Sequence, residues 1–265
     1  MVTIALAQLK GVLFNKNLNV GRVLTTIQTC KEKGVDYVLF PELFLTGFSI
    51  QHEIEALAEP VDGESIQTIQ EKVKKTGVGT ILGFAERYEN RYYNSAVFIE
   101  KDGSIKGVYR KIHLFDKEKE FFTPGEEFPV FHTKAGNIAL MMTFDVEFPE
   151  MSRIYAMHGV ELIMVLNAHN VPYQPHQGIF LQARALENQV FMAATNKVGL
   201  EGDTLFFGES ALISPEGHFI EKGGNNEEII IASIELSDVY KVREEQLMKY
   251  LENRKGELYS RHGLI

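Results

Sequence analysis

Three short stretches carry side chains that could do chemistry together. Glu42 follows Phe40-Pro41 at the end of an apolar run, Lys111 follows Tyr109-Arg110, and Thr143 follows Ile138-Ala139-Leu140-Met141-Met142. A carboxylate is a general base, an ammonium stabilises a developing oxyanion, and a hydroxyl is a nucleophile when a base activates it. Each also has a bland explanation. Glu42 could serve a helix N-terminus, Lys111 could protect a sheet edge, and Thr143 could be an ordinary β-branched strand residue. Taken singly, the bland explanation wins each time; their shared placement at strand ends calls for a joint one.

The segment Ile138 to Arg153 organises the rest. It begins as a buried strand, passes through Thr143-Phe144-Asp145, and reaches Pro149-Glu150, a pair suited to a helix's first turn. Such an elbow holds a side chain at the strand's end and aims backbone N–H groups at whatever binds there. Elsewhere, strands are expected at Val2 to Gln8, Asp36 to Phe40, Val78 to Phe84, Ser95 to Glu100, Ile105 to Tyr109, Leu162 to Leu166, Val190 to Thr195, Glu209 to Ile213 and Ile229 to Ile234. Helical spacing runs from Val20 to a stop at Gly34, and recurs at Ile54 to Ala58, Ile66 to Val73, about Glu150 to His158, Ile179 to Gln189 and Gln246 to Asn253. Asp116 to Glu120 reads as a charged loop, and Asn167 to Gln177 as a polar loop carrying His169, Tyr173 and His176. No repeat or low-complexity linker interrupts the chain, so residues 1–265 are expected to form one domain. Helices interleaved with hairpin-connected strands favour a sandwich of sheets covered by helices.

The three stretches together resemble the Glu–Lys–Cys triad of the nitrilase superfamily of carbon–nitrogen hydrolases. Phe40-Pro41-Glu42 matches the glutamate segment and Tyr109-Arg110-Lys111-Ile112-His113-Leu114-Phe115 the lysine segment. Thr143-Phe144-Asp145-Val146-Glu147-Phe148-Pro149-Glu150 is similar to the nucleophile segment C-Y-D-x-x-F-P-E, with Thr143 where the family has its cysteine. Later signposts fall in register at Arg184 to Val190, Asn196, Gly208 with Ser210, Pro215 with Gly217, and Arg254 with Tyr259. The resemblance implies a four-layer α-β-β-α sandwich. It implies Glu42 as general base, and Lys111 with the Phe144 N–H as the oxyanion site. A second glutamate falls at Glu118, or at Glu120 on a different alignment. The loop bearing His169 and Tyr173 is expected to line the pocket. The implied reaction cleaves a small amide or N-carbamoyl compound through an acyl-enzyme, and the implied assembly is a homodimer or higher homo-oligomer joined through helices after Pro149 and around Arg184. True nitrile hydrolases of the superfamily tend to be longer, which places this chain nearer the amidase and carbamoylase branches.

Threonine alters that expectation. A thiol ionises near pH 8.5 and a nearby base makes thiolate readily, whereas an aliphatic hydroxyl is far less acidic. Known threonine nucleophiles use their own N-terminal amine as base, and Thr143 is internal. Two outcomes are open: an amidohydrolase with weak or absent turnover, or a ligand-binding or regulatory pseudoenzyme of the same fold.

Composition bounds the partners. With 36 acidic against 27 basic residues, the formal net charge is -9, which disfavours nucleic acid and anionic membranes. No apolar run has the length of a bilayer span, and Met1 to Gln8 reads as a strand, not a leader. The single cysteine, Cys30, sits on a helix's apolar face, excludes an intramolecular disulfide and points to the cytoplasm. His169 and His176 lack the companions of a zinc site, and the glycines form no nucleotide fingerprint. No metal or cofactor is expected.

Overall fold

Alternation along the strands dictates the layering. The computed structural model describes residues 1–245 and 247–263. In its first strand, β1 (Val2–Gln8), Ile4 and Leu6 join one core while Ala5 and Ala7 join another, and all four are buried. A strand apolar on both faces must be covered on both. The same division recurs in β2 (Tyr37–Leu39), where Tyr37 and Leu39 face inward and Val38 outward, and in β4 (Arg91–Ile99), where Ala96 and Phe98 oppose Val97 and Ile99. With β3 (Gly79–Tyr88) and β5 (Ile105–Arg110) these strands make the first sheet, whose far edge is a late strand, Glu228–Ile234, antiparallel to β1.

Its outer face is covered by α1 (Lys16–Glu32) and α3 (Glu64–Thr76), between which lies the short α2 (Ile54–Leu57). The Asn15 side chain accepts from Leu18 N–H at 3.0 Å and caps α1, and Gly34 past its end takes φ 69°, a left-handed value suited to glycine. Cys30 is buried on the sheet-facing side of α1, and burial pushes its thiol up to about 12.

The second sheet uses β6 (Val130–His132), β7 (Asn137–Met142), β8 (Leu162–Leu166), β9 (Phe191–Thr195), β12 (Ala211–Ile213) and β13 (Phe219–Lys222). Between β9 and β12 the chain makes a separate ribbon of β10 (Val198–Glu201) and β11 (Thr204–Phe207). The outer face of this sheet is covered by α5 (Pro149–Met157) and α6 (Gln174–Asn188) through Met151, Tyr155, Leu181 and Ala185. Between the sheets, Leu6, Leu39, Ile81, Phe98 and Tyr109 share one core with Phe131 and the strands β7 to β9. The result is an α-β-β-α sandwich. Among the described residues, no helix is long and apolar enough to cross a membrane.

Register sets where chemistry can collect. Strands β7, β8 and β9 are parallel, with Met142, Leu166 and Thr195 level. In the first sheet β2 and β3 are parallel, and β5 runs antiparallel to β4 with Arg110 opposite Ser95. The C-terminal ends of β2, β5 and β7 therefore open at one end of the sandwich, the usual place for a site in such sheets.

Four expectations need correction. The helix expected at Gln246 to Asn253 is absent over 247–253, which form a bend and turns; Gln246 lies outside the described residues. Helices flank this stretch as α7 (Asp238–Glu245) and α8 (Gly256–Arg261). Leu247 is 98% exposed and Met248 57%, and of the apolar residues that would share a helical face only Leu251 packs against the core, too little to hold a helix here. The strand expected from Glu209 begins at Ala211, because Gly208 and Glu209 take φ 75° and 54°. The charged loop contains a single helical turn, α4 (Glu118–Phe121). The polar loop ends early, since α6 already starts at Gln174.

Candidate active site

Glu42 lies three residues past β2 and is fully buried. Lys111 directly follows β5 and is 1% exposed. Thr143 directly follows β7 and starts a 3-10 turn, Thr143–Glu147, that leads to Pro149 at the head of α5. These ends bring four side chains together. Lys111 Nζ lies 2.8 Å from Glu42 Oε1 and 2.7 Å from Glu118 Oε2. The Thr143 hydroxyl donates to Glu42 Oε2 and accepts the Ala168 N–H at 2.6 Å. Glu118 is thus the second carboxylate at the lysine, while Glu120 is exposed.

Burial alone would lower the Lys111 ammonium, but Glu118 and Glu42 override it and hold it well above its ordinary value. Burial also raises Glu118, helped by the Glu42 charge and opposed by Lys111. Lys111 is therefore a fixed cation. With Glu42 Oε1 engaged by Lys111, Oε2 faces the nucleophile position.

Sequence reasoning missed Asn94 and gave no role to Asp145, Arg184 and Asn196, the residues that fix this geometry. Asn94 donates to Glu42 Oε1 at 2.6 Å and to Glu118 Oε1 at 2.9 Å, tying the two carboxylates together. Its signal was an amide beside a buried strand, one residue before the expected start of β4. Asp145 braces the elbow: it accepts from Tyr109 Oη at 2.6 Å, His113 N–H at 2.8 Å and Met142 N–H at 3.1 Å. Arg184, on α6, donates from Nε to the Val146 carbonyl at 2.9 Å and from Nη2 to the Glu147 carbonyl at 2.8 Å. Asn196 accepts the His169 N–H at 2.9 Å and donates to the His169 carbonyl at 3.1 Å. Residues far apart in sequence thus pin the backbone on either side of Thr143.

Above the cluster lies a cavity of about 170 Å³, with Lys111 and Thr143 in its lining. Phe144, His169 and Tyr173 line it as expected, and Phe48, Phe115 and Glu147 join them. Among the described residues no group of three or more His, Cys, Asp or Glu side chains is arranged to hold a metal ion. A buried base, a fixed cation and a hydroxyl under a small cavity form an arrangement suited to acyl transfer.

The comparisons with known proteins agree with this geometry. The carbon–nitrogen hydrolase family model matches residues 3–244. An (R)-stereoselective amidase of Pseudomonas sp is 34% identical over 253 residues, spanning 95% of this chain and 91% of its own. A carbon–nitrogen hydrolase from Helicobacter pylori G27 superposes with a TM-score of 0.91 at 27% identity, over 98% of this chain and 97% of that one. An amidase from Nesterenkonia sp. shares the fold, with a TM-score of 0.88 at 24% identity over 98% and 96% of the two chains. The chain belongs to the carbon–nitrogen hydrolase family of the nitrilase superfamily, and it is similar to that family's amidases and nitrilases.

Proposed function

We propose that the protein is built to cleave the C–N bond of a small amide or N-carbamoyl compound, with turnover limited by Thr143. In this reading Glu42 takes the nucleophile's proton as Oγ1 attacks the carbonyl carbon. Lys111 and the Phe144 N–H receive the oxyanion, Glu118 orients Lys111, and Glu42 returns the proton to the departing ammonia or amine. A water activated by Glu42 then releases the acid from the acyl-enzyme. The observation that carries the reading is the hydrogen bond from the Thr143 hydroxyl to Glu42, whose other oxygen holds Lys111.

The competing reading is a binding or regulatory protein that keeps the pocket without turnover, and the threonine itself favours it. Ammonia release from butyramide tests the choice, since butyramide is an amide captured in a variant of the Nesterenkonia amidase. Activity that appears with Thr143→Cys supports the enzyme reading; a Thr143→Cys protein that binds amides but stays inert toward amides and carbamoyl compounds supports the other.

We also propose that residues 1–265 act as one domain that pairs with a second copy across α5 and α6. Met157, Ile179 and Leu186 are exposed on these helices at 55%, 63% and 40%, an apolar face that a two-fold partner would cover. Light scattering at micromolar concentration should give twice the chain mass, and a monomer there refutes the pairing.

A further inference from the structure

Resting on the amidase reading of this same cavity, we propose that the pocket selects amides whose acyl tail ends in an amine, with the Glu147 carboxylate receiving the tail's ammonium group. Glu147 stands on the cavity wall at the end of the 3-10 turn that Thr143 begins. Four residues of 3-10 rise put about 8 Å between the two Cα atoms, room for a short acyl chain. The Glu147 side chain is 26% exposed, and its one polar contact among the described residues is the His169 Nε2 atom at 3.5 Å. An ionised carboxylate offers about four acceptor sites, so most of this group's capacity is open.

The nearby cations cannot neutralise it. Arg184 lies close, but its Nε and Nη2 serve the Val146 and Glu147 carbonyls and its Nη1 pairs with Glu187 at 3.0 Å. Lys111 is shared between Glu42 and Glu118. The site thus sets one committed ammonium against three carboxylates, with the imidazoles of His169 and His176 as the other basic groups on the wall, a balance that disfavours an anionic tail. Phe48, Phe115, Phe144 and Tyr173 supply aromatic faces to the wall, beside the polar Asn170 and His176. Aromatic faces beside a carboxylate are a common receptor for ammonium groups.

The test compares three amides of similar length by calorimetry at pH 7, using the protein with Thr143 in place. They are 4-aminobutyramide (cationic), pentanamide (its neutral analogue) and succinamate (anionic). The cationic amide should bind about tenfold more tightly than the neutral one, a difference of about 1.4 kcal/mol, and the anionic one most weakly. In Glu147→Gln the cationic-to-neutral ratio should fall close to one, and in Glu147→Lys the order should turn toward succinamate, with circular dichroism checking that each variant is folded. Equal binding of the three, or a preference that survives Glu147→Gln, overturns this inference and leaves the amidase reading standing. Binding of none of them overturns both.

Discussion

Replacing Thr143 by cysteine is the most informative perturbation, because the structure leaves almost nothing else to change. The base is in contact with the nucleophile position, Lys111 is charged and fixed, and the elbow is braced by Asp145 and Arg184. What differs is acidity. Taking water's pKa of about 15.7 as a guide to an aliphatic hydroxyl and about 8.5 for a thiol, the gap is roughly seven units. At 1.36 kcal/mol per unit that is roughly 10 kcal/mol of proton-transfer cost. The less acidic nucleophile recovers about half of it through higher intrinsic nucleophilicity. The remaining 4–5 kcal/mol corresponds to about a thousandfold or more in kcat. The assay is ammonia release from butyramide, with mass spectrometry to detect an acyl adduct on residue 143. Thr143→Ala should match the unaltered protein within error. A robust activity that Thr143→Ala abolishes and Thr143→Cys does not raise would mean that threonine is a working nucleophile, and the acidity reasoning would fail.

Two other perturbations probe the buried charges. Lys111→Met leaves Glu42 and Glu118 facing each other without a cation, so it should cost about 3–5 kcal/mol in urea unfolding, with Glu42→Gln restoring part of the loss; no change would mean that water already solvates the site. The second concerns the ion pair of Lys197 and Glu201, 2.7 Å apart, 1% and 2% exposed. Burial lowers Lys197, with Glu201 opposing. A lysine depressed in the folded state binds fewer protons there than in the unfolded chain, so its contribution to stability rises with pH from the depressed value up to about 10.4. Lys197→Met with Glu201→Gln should remove that rise, so thermal melts should show the unaltered protein gaining on the variant as pH climbs from 7 to 10. A parallel pair of curves would refute the shift.

The sandwich was legible from helices interleaved with hairpin-connected strands and from family motifs in register; that Ile4 and Leu6 enter one core and Ala5 and Ala7 another is seen only in the fold. Glu42 and Thr143 were legible because each ends an apolar run, and Lys111 because the stretch Tyr109 to Phe115 matches the family's lysine segment. Asn94 was not, because its role depends on β4 running antiparallel between β3 and β5, which sets its amide opposite Lys111; the Lys111 N–H donates to the Asn94 carbonyl at 2.8 Å. Arg184 and Asn196 could be matched by position, but what they do, holding carbonyls of the elbow and the backbone of His169, needs the sheets in place. The C-terminal stretch misled because Leu247, Met248 and Leu251 have helical spacing, yet only Leu251 packs against the core while Leu247 and Met248 stay exposed. Periodicity reports what a segment could bury, and packing decides whether it does.

Position 143 serves two opposed demands. The threonine hydroxyl closes a network, giving its proton to Glu42 and receiving the Ala168 N–H at 2.6 Å. A thiol is a weak donor and a weak acceptor, so cysteine here leaves both partners poorly satisfied. The Ala168 N–H is part-buried and Glu42 fully so, and each weakened bond costs about 0.5–1.5 kcal/mol. Thr143→Cys should therefore lower the urea midpoint while it raises turnover, the two effects having opposite sign at one atom. A ligand that fills the cavity and hydrogen-bonds the Ala168 N–H should return part of the lost stability in the cysteine variant, and less in the unaltered protein, where that N–H is already engaged. If cysteine instead stabilises the free protein, the hydroxyl is not what holds the network together, and the bonds at Thr143 are incidental to the fold.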